Sequence, residues 1–394
     1  MMKRRILLTA LAALVLLGAG AASFSGERAI VPDMNFVGDP IDLSLVKAVE
    51  IMQTTGSRAE AAALNKAADE AVARGYKESA KSISDFLNAI KGASISVSSA
   101  AEESGMTETN EKIMRMRRDF AKEQVASNYQ AELNEIEAMT VQVYYGVLQA
   151  QENLKISKDN LQNQKAIYDN TMKKYKLGMV ARIDTLTAET QVLSAEDQAA
   201  AAETALKNAR MNFNLLLGYD LMQNVVLTDG LKMAEEPKGS LTGFIESAVK
   251  NRNEIKGAAF GAEIQEILLT SLKYRYPSSS STYLNQETAT LLARKAAQDA
   301  PVQIEMDIRA RYMDMADKKR AVKVAEASLA NAKEGYRLAT ISYNAGMNTL
   351  TDVQKAQIAS YQAALGVAAA ITDYDLAVYG FIHATGAGTV RLPL

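Results

Sequence analysis

Two segments of the chain, residues 166–218 and 334–386, align without a gap at a spacing of 168 positions. Tyr168, Tyr175, Gly178, Met179, Asp184, Phe213 and Gly218 recur as Tyr336, Tyr343, Gly346, Met347, Asp352, Phe381 and Gly386. Fourteen of the 53 aligned positions are identical, and only six of those are Ala in Ala-rich stretches. Each copy has the pattern of a helical hairpin. A two-helix unit cannot bury its own apolar stripe, so duplicated units must pack against each other or against further copies. The repeat therefore points to an elongated assembly subunit and away from a compact enzyme.

Proline usage allows great length. The six prolines are Pro32, Pro40, Pro237, Pro277, Pro301 and Pro393, and the 196 residues between Pro40 and Pro237 contain none. Proline breaks helix interiors, so its absence permits long helices and its presence marks boundaries. The expected helices run from about Asp42 to Ile90, with interruption points at Thr54–Ser57 and at Gly75, and from about Glu111 to Lys176. Val147, Leu154, Leu161, Tyr168 and Tyr175 fall seven apart, as do Met315, Val322, Leu329, Tyr336 and Tyr343. Beside them run small or polar residues: Ala150, Ser157, Gln164 and Thr171, then Lys318, Ala325, Ala332 and Ala339. That repeat is the mark of left-handed coiled-coil packing. Sixty-five helical residues would span roughly 95–100 Å. An ordinary coiled-coil rod satisfies the heptads equally well until the turns are considered.

Each long helix is expected to end at Gly178 or Gly346, the residue type that a left-handed C-cap favours. Asp184 and Asp352 then open the returning helices as N-caps, a capping role that accounts for both without any further function. The segment 229–240 reads as a linker, and Leu241 to Leu272 as a helix bent at Asn251-Arg252-Asn253-Glu254-Ile255.

At the N-terminus, Lys3, Arg4 and Arg5 precede an apolar run from Ile6 to Leu17 and the small residues Ala19-Gly20-Ala21. This is the layout of a secretory signal peptide, residues 1–21, with an uncleaved anchor as the alternative. No other stretch approaches 18 uninterrupted apolar residues, so no transmembrane helix is expected in the mature chain. Cysteine is absent, which removes disulfides, thiolate metal sites and a lipid-attachment cysteine. Forty-four basic and 46 acidic residues give a net charge of −2 and no reason to expect nucleic acid or an anionic membrane surface as a partner. The single histidine, His383, is a poor metal site and fits packing better. Hydrolase, phosphate-loop and zinc-protease motifs are missing, so the chain reads as a non-enzyme without a cofactor.

The pattern Tyr-x-x-Gly-x-x-x-x-x-Asp, followed twice by an Ala-rich amphipathic helix and closing at Leu-Leu-Gly218 or Ala-Thr-Gly386, resembles the TolC-type outer membrane efflux family. Tyr343 to Val353 is the stretch that matches most closely, and Phe244 to Lys256 resembles the helix that precedes the strands in that family. The resemblance implies an all-α fold of long coiled-coil hairpins in two tandem repeats, 41–228 and 241–386. These lie between an extended leader, 22–40, and a C-terminal tail, 387–394. It implies a homotrimer enclosing a twelve-helix tunnel, with a periplasmic adaptor and an inner-membrane pump as partners, in the outer membrane or periplasm of a two-membrane bacterium. The hairpin turns, Tyr175, Gly178 and Met179 in one copy and Gly346 and Met347 in the other, would form the tip where the adaptor docks. Asp184 and Tyr343 match the pair that helps to close that tip, and Asp352 a carboxylate at the narrow entrance. Two positions depart from the pattern: Asn348 stands where a basic residue is common and Lys355 where an acidic one is.

The membrane strands are a larger departure. A spanning strand needs about 9–11 residues of alternating character. The two windows where strands would fall, Ala93–Asn110 and Tyr276–Gln286, are respectively acidic and Ser-rich without alternation. Little or no β-barrel is therefore expected. Two functions fit: an export duct, or a barrel-less envelope scaffold that binds partners without transport.

Overall fold

The computed structural model describes residues 35–91 and 100–394; the signal peptide, most of the leader and residues 93–99 of the first strand window lie outside them. The described elements are β1 (Val37–Leu43), α1 (Leu45–Thr54), α2 (Ser57–Ala89), α3 (Glu108–Lys176), α4 (Arg182–Leu217), β2 (Gln223–Leu227), α5 (Leu241–Asn251), α6 (Asn253–Lys273), α7 (Ser281–Asn344) and α8 (Leu350–Ala384).

Two helices set the dimensions. The 69 residues of α3 begin where the Thr107 hydroxyl accepts from the Asn110 N–H, and end with Lys173, Lys174 and Lys176 facing the negative helix terminus. The 64 residues of α7 begin at the Ser280 cap. Each long helix pairs with a shorter one at either end. One half of the molecule is ordered α2, α3, α6, α7, and the other α4, α3, α8, α7. The result is an open palisade, four helices across at every level. Its edges, α2 and α4 on one side and α7 on the other, have no substantial packing with each other.

The core lies where the orders change over. Tyr144, Tyr145, Val147 and Leu148 of α3 pack with Met52, Phe213, Leu217 and the inward residues of the two strands. Ile304, Ile308, Met315 and Val322 of α7 pack with Tyr374, Val378 and Phe381 of α8. Residues near the C-terminus brace the same level. The Asn128 side chain donates to the Leu392 carbonyl at 2.9 Å and accepts from its N–H at 3.0 Å. Asn253 donates to the Val390 carbonyl at 2.9 Å, and Arg391 pairs with Asp69 and Glu132. This tail thus ties α2, α3 and α6 together.

Several expectations are corrected. The leader does not run straight into a helix at Asp42: 37–43 form a strand that pairs in parallel with β2. The chain breaks at Thr55–Gly56 as expected, but α2 passes through Gly75 without interruption. Pro301 lies inside α7, not at a boundary. An interior proline removes one backbone hydrogen bond and costs about 3 kcal/mol, a loss that packing along both α6 and α8 offsets. In the strand windows, the described part of the first is a helical turn and the cap of α3, and the second is a seven-residue turn, 274–280, followed by α7. The only strands among the described residues are β1 and β2. By length and composition α8 could cross a membrane, although no run of 18 uninterrupted apolar residues occurs in it. It is flanked by α3 and α7, which explains its apolar character.

Candidate functional site

The two hairpin turns lie side by side and are built alike. In the first, the Gly178 N–H donates to the Tyr175 carbonyl at 2.9 Å and the Met179 N–H to the Lys174 carbonyl at 2.9 Å. In the second, Gly346 donates to Tyr343 at 3.1 Å and Met347 to Ser342 at 2.8 Å. Both are Schellman closures, which need a left-handed residue just past the helix. Gly178 and Gly346 supply it, with φ of 70° and 76°. No other atom crowds either position, so Gly178→Ala and Gly346→Ala should each cost only the left-handed penalty, about 1–2 kcal/mol. Thermal unfolding of the purified variants measures it, and an unchanged transition would contradict this geometry.

Asp184 and Asp352 are not N-caps, as the sequence suggested, but the third residue of their helices. The cap positions are Ala181 and Thr349. Asp352 Oδ2 accepts from the Thr349 N–H at 3.0 Å and the Thr349 hydroxyl at 2.6 Å, while the Thr349 hydroxyl accepts from the Asp352 N–H at 3.3 Å. The hydroxyl bond, with the backbone bond behind it, holds the Asp352 carboxyl below the usual carboxylate range. In the first hairpin Ala181 has no hydroxyl to return the bond, and only the Asp184 carboxylate accepts, from the Ala181 N–H at 3.2 Å. The repeat keeps the aspartates because each reaches back to an otherwise free N–H.

Within the chain Asp184 and Tyr343 do not meet. Tyr343 is buried, its hydroxyl 3.5 Å from Thr171 Oγ1, and the Lys174 ammonium sits 3.5 Å from its ring centroid. Lys174 Nζ also donates to the Tyr343 carbonyl at 2.9 Å, and desolvation holds its pKa below that of a free lysine. Ile167, Ala188, Leu350 and Val353 complete a small core drawn from all four helices. The tips of the two hairpins are thus locked to each other. Lys174 and Thr171 were missed as tip residues because they break the repeat: Ser342 and Ala339 stand in their places. Outside this lock, Leu177, Met179 and Met347 are exposed, at 75%, 66% and 73%.

Above the tips the seam between α3 and α8 turns polar. Asn160 accepts from Gln357 at 2.8 Å and donates to Gln198 at 3.2 Å, and Ser157 and Tyr361 share a bond of 3.1 Å. Gln164 Oε1 and Gln354 Nε2 are buried in the same seam without protein partners. Buried amides left unpaired weaken a contact, whereas water satisfies them when it parts. The hairpins are therefore fastened firmly at the core and at the tip and loosely between.

Residues 93–219, spanning α3 and α4, match the family model described as outer membrane efflux protein. No curated protein matches the chain by sequence. Among solved structures, the Campylobacter jejuni CmeC outer membrane channel is similar over 71% of this chain and 68% of its own, at 18% identity and a TM-score of 0.56. The outer membrane protein VceC of Vibrio cholerae aligns over 88% of this chain and 97% of its own, at 14% identity and a TM-score of 0.59. A membrane protein from Pseudomonas aeruginosa aligns over 90% and 92%, at 13% identity and a TM-score of 0.62. The chain therefore matches the outer membrane efflux protein family over residues 93–219 and as a whole has the fold of these outer membrane channels.

Proposed function

We propose that this chain is the exported outer component of an efflux or secretion system, closing as a homotrimer into a helical tunnel that takes solutes from an inner-membrane pump through a periplasmic adaptor. The observation that carries the reading is the open palisade with apolar residues along both edges. On α7, Val302, Met306, Met313, Val324 and Leu338 are exposed on the side opposite the row that packs on α8. On α4, Ile183, Leu186 and Leu193 lie opposite the buried Thr185, Ala188 and Ala195. Two apolar edges on one open layer fit a ring in which α7 of one copy covers the α2 and α4 edge of the next. Three copies bring twelve helices to the tip.

The exposed Leu177, Met179 and Met347 fit docking of an apolar adaptor tip, and the gate is assigned to Asp184, Tyr343 and Asp352 together with Lys174. Opening would break the Lys174–Tyr343 lock and part the polar seam behind it. Deleting the gene should raise susceptibility to an exported compound, and the wild-type chain should restore resistance. Lys174→Ala and Tyr343→Ala, which remove the ammonium and the ring of the lock, should restore export with added leakage of solutes. Asp184→Ala should do the same only if its carboxylate reaches Tyr343 of a neighbouring copy. No export phenotype on deletion would leave the second reading, an envelope scaffold without transport, which the scarcity of strands among the described residues favours.

A further inference from the structure

At the end of the rod opposite the tips, the turn between α6 and α7 reads Lys273-Tyr274-Arg275-Tyr276-Pro277-Ser278, and every one of these residues is exposed. Tyr274 is 85% exposed and Tyr276 43%. The turn is held in place. Ser280 caps α7, Arg275 pairs with Glu102 at 2.5 Å across to the α2–α3 end, and Gln286 and Thr290 of α7 both donate to the Gln265 carbonyl of α6. Tyr274, Tyr276 and Lys273 thus stand exposed on a braced turn at the end of the rod.

We infer that this turn is a membrane-interface anchor, binding a phospholipid surface through Tyr274 and Tyr276 with Lys273 at the phosphates, while Arg275 stays paired with Glu102. Tyrosine combines an apolar ring with a polar hydroxyl, and lysine snorkels beside it. That combination settles at the headgroup level of a bilayer. A lateral copy of the chain would cover the helix edges, and the turn points away from them. An interfacial contact of this kind needs no spanning segment. The inference rests on the export reading only for which membrane is met; lipid binding itself can be measured apart from transport.

Purified full chain in detergent-free buffer, mixed with vesicles of phosphatidylethanolamine and phosphatidylglycerol, should float with them in a density gradient. Tyr274→Ser/Tyr276→Ser should lower the bound fraction about ten-fold, the equivalent of roughly 1.4 kcal/mol, while Met179→Ser/Met347→Ser at the other end leaves it unchanged. The chain has no tryptophan, so Tyr274→Trp reports from this turn alone, and its emission should shift to the blue when vesicles are added. A wild-type chain that stays unbound, or a double serine variant that floats like wild type, would overturn the anchor. A Tyr274→Trp signal that moves with a soluble envelope protein and not with vesicles would overturn it as well. Sedimentation of the same samples separates the two ideas: a trimer that ignores lipid defeats the anchor and leaves the tunnel standing, and a monomer that floats does the reverse.

Discussion

Met306→Glu combined with Met313→Glu should convert the proposed trimer to monomers at micromolar concentration while leaving the helical content as it is. Both methionines are more than half exposed in the single chain, at 68% and 60%. Replacing them therefore disturbs no packing within it, and surface changes of this kind stay within about 0.5 kcal/mol of folding stability. In a ring they would sit against the opposite edge of the next copy, where α2 gives way to the end of α4. Each buried methionine contributes roughly 1.5–3 kcal/mol there, and a carboxylate in its place adds a desolvation penalty on top. Two such losses at each of three seams weaken assembly by several orders of magnitude. Sedimentation velocity with circular dichroism on the same sample reads both quantities. If the double variant sediments like wild type, the α7 edge is plain solvent-facing surface and the tunnel arrangement is wrong. Since the chain lacks cysteine, single cysteines at Leu186 on α4 and Leu338 on α7, both about a turn from the tip and mixed between copies, offer a direct check of the contact.

What the sequence made legible was what repeats. The heptads ending at Tyr175 and Tyr343, the glycines at 178 and 346, and the break at Thr54–Ser57 depend on local chemistry: apolar spacing, a left-handed turn, a loss of periodicity. What it hid depends on one side chain meeting a distant one. The strand Val37–Leu43 contains Gly38 and Pro40, which read as loop, and its five-residue partner lies some 180 positions away. The 387–394 tail looked like a loose end, yet Asn128 and Asn253 hold its backbone. A polar residue within a long amphipathic helix ordinarily signals a solvated face, so nothing nearby in sequence marks these two as clamps. The Lys174–Tyr343 lock was hidden for a related reason: comparing the copies selects what they share, whereas a contact between the copies needs each to differ.

Asp375 should make the fold less stable as pH rises from about 4 to about 6, and Asp375→Asn should abolish that dependence. The side chain is fully buried in α8, with Oδ1 accepting from the Ala234 N–H at 2.6 Å and Oδ2 without a hydrogen-bond partner. Burial raises its pKa from 3.8 to about 6, and the Ala234 hydrogen bond and the neighbouring Tyr145 hydroxyl only partly oppose that. The groups turned towards it are Tyr145 of α3 and Tyr374 and Tyr379 of α8, with Asp229 of the linker beyond the tyrosines. None is cationic. A carboxyl whose pKa is higher folded than unfolded adds stability in full below pH 4, and that contribution is gone above about pH 6. The shift corresponds to about 3 kcal/mol. Asparagine keeps the acceptor for Ala234 and carries no charge, although its amide N–H groups inherit the partnerless position at a cost of about 1 kcal/mol or more. The variant should therefore gain on the order of 1–2 kcal/mol over wild type at pH 7.5 and lose that advantage at pH 4. Urea unfolding of both proteins across this range gives the two profiles. Parallel profiles would mean that Asp375 stays ionised with water at Oδ2, and that the linker at Ala234 is held by an ordinary solvated carboxylate.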